Sequence, residues 1–328
     1  MPRAEEGLAG SRRLKMKGKL IVLLGLLVLL SLPAGLAVAD NGPHGGYTPT
    51  TDACAGCHRA HTAAAPKLLV EAVPNLCFTC HGSTGTGADT NVADGVYLDR
   101  DSTAESPPEG FVNRGLKGGG FVNAMMDTDW DGAAVSAPTT STHLADGSTG
   151  TAWGNGAIGS GPGLANFSLS CVSCHDPHGN ASTAGTPTYR LLRAIPVNSG
   201  ASSGVNVIDE PSKTYTISTG SGQYFGEGYG TNGDRLSQWC SQCHTRYRAT
   251  SGSGHTDSGD PIFAYRHVTG GVFLSCVSCH VAHGTSATMS GFASNVDWPD
   301  GSPTPNGNGR SSLLRVDNRG VCELCHAK

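Results

Sequence analysis

Apolar residues are scarce in this chain: 38% of its 328 positions, against the roughly 45–50% of an ordinary globular protein. A large conventional hydrophobic core is therefore not expected. Glycine and proline are abundant instead, 47 and 18 residues, about a fifth of the chain, and both disfavour long helices and wide sheets. Long apolar runs are also lacking, with one exception. Six cations (Arg3, Arg12, Arg13, Lys15, Lys17, Lys19) precede an apolar stretch from Leu20 to Leu32, broken by Gly25 and Ser31 and ended by Pro33. It is short for a membrane span and matches the core of a signal peptide, with Ala37-Val38-Ala39 fitting the small-residue cleavage rule. Residues 1–39 are read as an export signal, with Met16 as the expected true start and Asp40 as the mature N-terminus. No later segment reads as transmembrane, and no cysteine follows the cleavage site to carry a lipid. Positive charge is lacking too. Taking the six cations and two acids of residues 1–39 from the chain's 22 Lys+Arg and 26 Asp+Glu leaves 16 and 24, a formal charge of −8. Nucleic acid is excluded as a natural partner.

No cysteine stands alone. The twelve fall into six pairs, each followed at once by histidine: Cys54, Cys57 and His58; Cys77, Cys80 and His81; Cys171, Cys174 and His175; Cys240, Cys243 and His244; Cys276, Cys279 and His280; Cys322, Cys325 and His326. With 13 histidines in the chain, chance would place one after all six pairs on the order of a few times in a billion, so the spacing reads as haem attachment. Two thiols at this offset reach the two vinyl groups on one edge of a porphyrin, and the next imidazole swings under the ring to the iron. Zinc or disulfide readings of the same cysteines leave six histidines unexplained. Six covalently attached haem c groups are the cofactor expectation.

Seven histidines remain. His61, His178 and His283 each lie three residues after a motif histidine, and on a helical turn such neighbours share one face. Two ligands of one iron approach from opposite sides, so these three must reach to other haems. The order then repeats: a lone histidine, CxxCHxxH, a Leu-Leu pair, a plain CxxCH. The first repeat runs His44, Cys54–His61, Leu68-Leu69, Cys77–His81. The second runs His143, Cys171–His178, Leu191-Leu192, Cys240–His244. The third runs His267, Cys276–His283, Leu313-Leu314, Cys322–His326. The approximate extents are 40–100, 101–250 and 251–328 within one domain, 40–328. His44, His61, His143, His178, His267 and His283 supply the second axial ligands, and His255, in a polar glycine-rich loop, is the spare. Met125 and Met126 are read as packing residues. Asp127, Asp129 and Asp131 do not complete a calcium loop.

The fold expected is mostly irregular and loop-rich, with short helices at the CxxCH motifs, a few short strands in the inserts Gly82–Ser170 and Asn180–Gln238, and a six-haem chain as the core. At about 48 residues per haem, the porphyrins supply the buried apolar surface that side chains lack. The leucine pairs suit either porphyrin cover or local packing.

Through CAGCHRAH, CVSCHDPHG and CVSCHVAHG with their partner motifs, the chain resembles the doubled-CxxCH multihaem c-type cytochromes, and more narrowly the hexahaem filament-forming outer-surface cytochromes of metal-reducing bacteria. That resemblance implies bis-histidine haems stacked in alternating parallel and perpendicular pairs. It also implies electron transport from partner cytochromes to extracellular acceptors such as metal oxides, in a homopolymer whose N-terminal histidine ligates a haem of the neighbour. On this chain His44, near the mature start, is the expected inter-subunit ligand. The implied location is the outer surface, with the periplasm as the alternative. A monomeric shuttle, a conduit subunit and a reductase with one open haem use the same motifs. No substrate chemistry is expected where twelve imidazoles serve six irons.

Overall fold

The structure, a computed structural model, describes residues 44, 54–85, 88–98, 115–126, 135–161, 163–179, 189–207, 230–249, 257–260, 266–268, 275–288 and 312–317. The chain divides into two units between Ala39 and Asp40, and every described residue belongs to the second, Asp40–Lys328. The export signal, Asp127, Asp129, Asp131, His255 and the motif Cys322–His326 lie outside the described residues.

Loops dominate, as the glycine and proline content requires. The helices are α1 (Asn75–His81), α2 (Cys171–Cys174), α3 (Gly230–Cys240) and α4 (Cys276–Cys279). Both α2 and α4 are single turns built from the same sequence, Leu-Ser-Cys-Val-Ser-Cys-His. Ser170 and Ser275 stand before them in extended conformation. Their amides donate to Ser173 Oγ (3.0 Å) and Ser278 Oγ (3.1 Å), one half of a capping box. Such a cap stabilises a helix start by about 1 kcal/mol, which a single turn cannot supply from its own backbone bonds. The helix α3 departs from the strand-and-turn expectation for the second insert. It enters the fourth motif from its N-terminal side and buries Leu236 with Leu192 and Val207, and that packing outweighs the poor helix propensity of its glycine-rich start.

Ten short strands pair two by two among the described residues. The longest pair, β6 (Asp146–Trp153) and β7 (Gly163–Ser170), is an antiparallel hairpin that leads directly into α2. The pair β5 (Ser141–Thr142) and β10 (Gly284–Thr285) joins the first insert to the segment after the fifth motif, with Thr142 opposite Gly284. A third backbone crosses here at Gly119 (φ +72°), where a Cβ would overlap the Gly284 carbonyl, so glycine is required. Beyond the fourth motif, buried Arg246 pairs with buried Asp260 (3.1 Å) and donates to the carbonyls of Ala157 and Gly161, tying that loop to the β6–β7 connection.

The apolar clusters are small: Leu192, Val207 and Leu236 in one, and Ala124, Met126 and Val281 in the other. Trp239 and Val277 pack on the first and Leu313 on the second. Met126 is buried in packing on β3 (Asn123–Met126). These clusters sit beside the CxxCH segments, and no single core spans the described residues.

Candidate functional site

The five described motifs are neighbours in sequence order. The Cys57 thiol is raised in pKa by burial and by the adjacent thiols of Cys80 and Cys77. Cys77 hydrogen-bonds Cys171, which pushes the Cys77 thiol far up and holds Cys171 down. Burial, with Cys243 nearby, pushes Cys174 up to about 12, and burial alone takes Cys243 to about 11. Cys240 hydrogen-bonds Cys276 and is raised by that bond and by burial. Motif two therefore touches motif three, and four touches five, through their first cysteines. The second cysteines of motifs one and two, and of three and four, lie within electrostatic reach of each other. None of the described cysteines is in a disulfide.

Seven of the described imidazoles share one hydrogen-bond arrangement at Nδ1. His58 meets the Lys67 carbonyl (2.9 Å), His175 that of Arg190 (2.7 Å), His244 that of Trp153 (2.6 Å) and His280 that of Ser312 (2.9 Å). His81 meets Thr90 Oγ1 (2.8 Å) and the Thr90 carbonyl (3.2 Å). Among the second ligands, His143 meets the Ala282 carbonyl (2.6 Å) and His44 that of Pro177 (3.0 Å). A carbonyl only accepts, so Nδ1 holds the proton and Nε2 keeps its lone pair for a metal. Burial also favours the neutral form of four rings: it lowers His143 and His175, brings His244 to about 4 and His283 to about 3.

Four ring pairs bring motif histidines together with sequence-expected second ligands. His44 and His81 have centroids 6.1 Å apart, His58 and His178 5.9 Å, His143 and His244 6.2 Å, and His175 and His283 6.3 Å. A metal ion holds an imidazole nitrogen at about 2.0 Å. With the ring centre about 1.1 Å farther out, two rings across one ion stand about 6.2 Å apart. The residues present therefore fit a six-coordinate haem iron at each of these four motifs. The interplanar angles are 47°, 16°, 42° and 61° in the same order, so only the His58–His178 rings are near parallel.

The local folds explain these placements. The β5–β10 pair sets His143 and His283 side by side, with the His143 amide bonded to the His283 carbonyl (2.8 Å), yet the two rings serve different motifs. The end of β6 delivers the Trp153 carbonyl to His244, and β1 (Thr90–Asn91) delivers Thr90 to His81. Phe121 stacks on His283 at 4.8 Å, a contact that no motif in the sequence announces.

His44, the expected inter-subunit ligand, has its ring against His81 of the same chain and donates from Nδ1 to the Pro177 carbonyl. His61 is exposed. His267 lies on β9 (His267–Val268), opposite Arg248 in a parallel pair.

Residues 48–86 match the family model described as the doubled CXXCH motif. Comparison with curated proteins gives no match. Among solved structures, the outer membrane cytochrome S filament from Geobacter sulfurreducens is similar at 15% identity, over 84% of this chain and 98% of that one, with a TM-score of 0.36.

Proposed function

We propose that this chain, which resembles the multihaem c-type cytochromes, is exported and carries electrons along six covalently held bis-histidine haems as the repeating subunit of an outer-surface filament. Electrons arrive from other cytochromes and leave to extracellular acceptors such as metal oxides. Bound haem iron supplies the one-electron ferric–ferrous couple. The chain's own residues would hold and order it: the twelve cysteines would fix the porphyrin edges, twelve imidazoles would ligate the six irons, and carbonyls at Nδ1 fix seven of those rings.

The observation that carries this reading is the order of the ring pairs. A lone histidine faces the plain motif of its own repeat, His44 with His81 and His143 with His244. A second CxxCHxxH histidine faces the double motif of the repeat before, His178 with His58 and His283 with His175. The same two rules match His267 to His326, and match His61 to His280 of a preceding copy of the chain. The ligand left exposed at the first repeat thus serves the iron left over in the third, which is a head-to-tail polymer rule. Leu68 is 55% exposed, while Leu191 at the equivalent place in the second repeat is 5% exposed.

The intact mass of the exported protein tests the cofactor count. It is expected to be that of a chain starting at Asp40 plus six haem groups. Fewer than six haems per chain would contradict the proposal.

A further inference from the structure

The three Leu-Leu pairs form one backbone device. Lys67 and Leu68 have φ of +64° and +59°, Arg190 and Leu191 +51° and +57°, and Ser312 and Leu313 +53° and +61°. Two successive left-handed residues with a Cβ are rare, because the side chain crowds the following carbonyl. The arrangement occurs at all three places and nowhere else among the described residues. The surrounding bonds also repeat. The carbonyls of Leu68, Leu191 and Leu313 accept from the amides of Arg59, Asp176 and Val281, each at 2.8 Å. The amides of Val70, Arg193 and Arg315 donate to the carbonyls of Cys57, Cys174 and Cys279 (2.9, 2.8 and 3.0 Å). The histidine and its turn are 9, 15 and 32 residues apart, so connections of very different length return to one geometry.

The side chains do not explain the recurrence. The first position holds Lys, Arg and Ser, which share no chemistry, and the leucine that follows is exposed in one repeat and buried in another. What the three turns share is a carbonyl, that of Lys67, Arg190 or Ser312, placed on Nδ1 of His58, His175 or His280. His81 and His244 take their acceptors from strands instead. Backbone strain retained at equivalent places points to a role.

We infer that these left-handed turns are positioning elements: each fixes the tautomer and rotation of the motif histidine at alternate haems, the first, third and fifth, through a main-chain carbonyl. The inference rests on the proposed reading that these histidines bind haem iron. Lys67, Arg190 and Ser312 act through the imidazole and touch no iron. A main-chain acceptor on Nδ1–H makes the ring a stronger donor to the metal and stabilises the ferric state. Losing it raises the potential of that haem.

The test varies the backbone preference at an exposed position of the full-length holoprotein. Lys67→Gly retains access to the left-handed region; Lys67→Val disfavours it strongly. Redox titration and low-spin electron paramagnetic resonance are the readouts. Lys67→Val is expected to move one of six components to higher potential and to shift one low-spin signal, while Lys67→Gly superimposes on the parent. Equal changes in both variants, or none in either, overturn the inference. If Lys67→Val yields no holoprotein, Ser312→Val against Ser312→Gly makes the same comparison at the fifth haem. A parent protein without low-spin bis-histidine signals would instead defeat the proposed function.

Discussion

Replacing His61 with alanine is expected to abolish filaments and to leave chains that hold six haems, one of them high-spin. The affected haem is the one attached at Cys276 and Cys279, more than two hundred positions away in the sequence. The reason is the offset of one repeat in the described ring pairs: His178 faces His58, and His283 faces His175. His61 is the equivalent residue of the first repeat. Under the proposed filament the imidazole that completes the His280 iron comes from His61 of another copy, and losing it removes both a ligand and a subunit bond. Electron micrographs and the high-spin fraction, one sixth of total haem, check this together. Persisting filaments, or a change confined to the haem at Cys54 and Cys57, would contradict it.

The substitution His178→Ala should act within the chain. It is expected to convert the haem at Cys54 and Cys57 to a high-spin form that binds one carbon monoxide per chain, while the haem at Cys171 and Cys174 keeps both ligands. The mutated residue is three positions from His175, so a purely local effect would strike the third haem. The structure places the His178 ring 5.9 Å from His58 instead, and its side chain is largely exposed. Exposure makes this a mild deletion for folding, which keeps the spectral outcome readable. A difference spectrum assigned to the third haem would sink the pairing rule on which the polymer argument also depends.

The sequence made the attachment sites legible because covalent chemistry demands a fixed local spacing, and the three-part repeat was legible because its markers recur in order. The loop-rich fold followed from glycine and scarce apolar residues. Partner choice among the histidines was not legible. It depends on contacts such as Thr142 with Gly284, which join segments about 140 positions apart through two-residue strands without any pattern of their own. Closeness to the expected mature start gave no sign that the His44 ring would lie against His81 with its Nδ1 bonded to the Pro177 carbonyl. The leucine turns were visible as letters, but nothing in Lys67-Leu68 announces a left-handed backbone, a conformation that sequence signals assign to glycine or asparagine. The helix over Gly230–Cys240 was hidden for the opposite reason, since long-range packing overrides its local preference.

Under the proposed function every iron in the assembled protein would be held by imidazole on both sides, a conductor of electrons rather than a reductase with an open site. Exposure of reduced, polymerised protein to carbon monoxide tests it most directly. The account predicts no rapid change in the haem spectrum beyond that of the few subunits at filament ends. Prompt binding of one carbon monoxide per chain throughout the filament would show an open iron and contradict it.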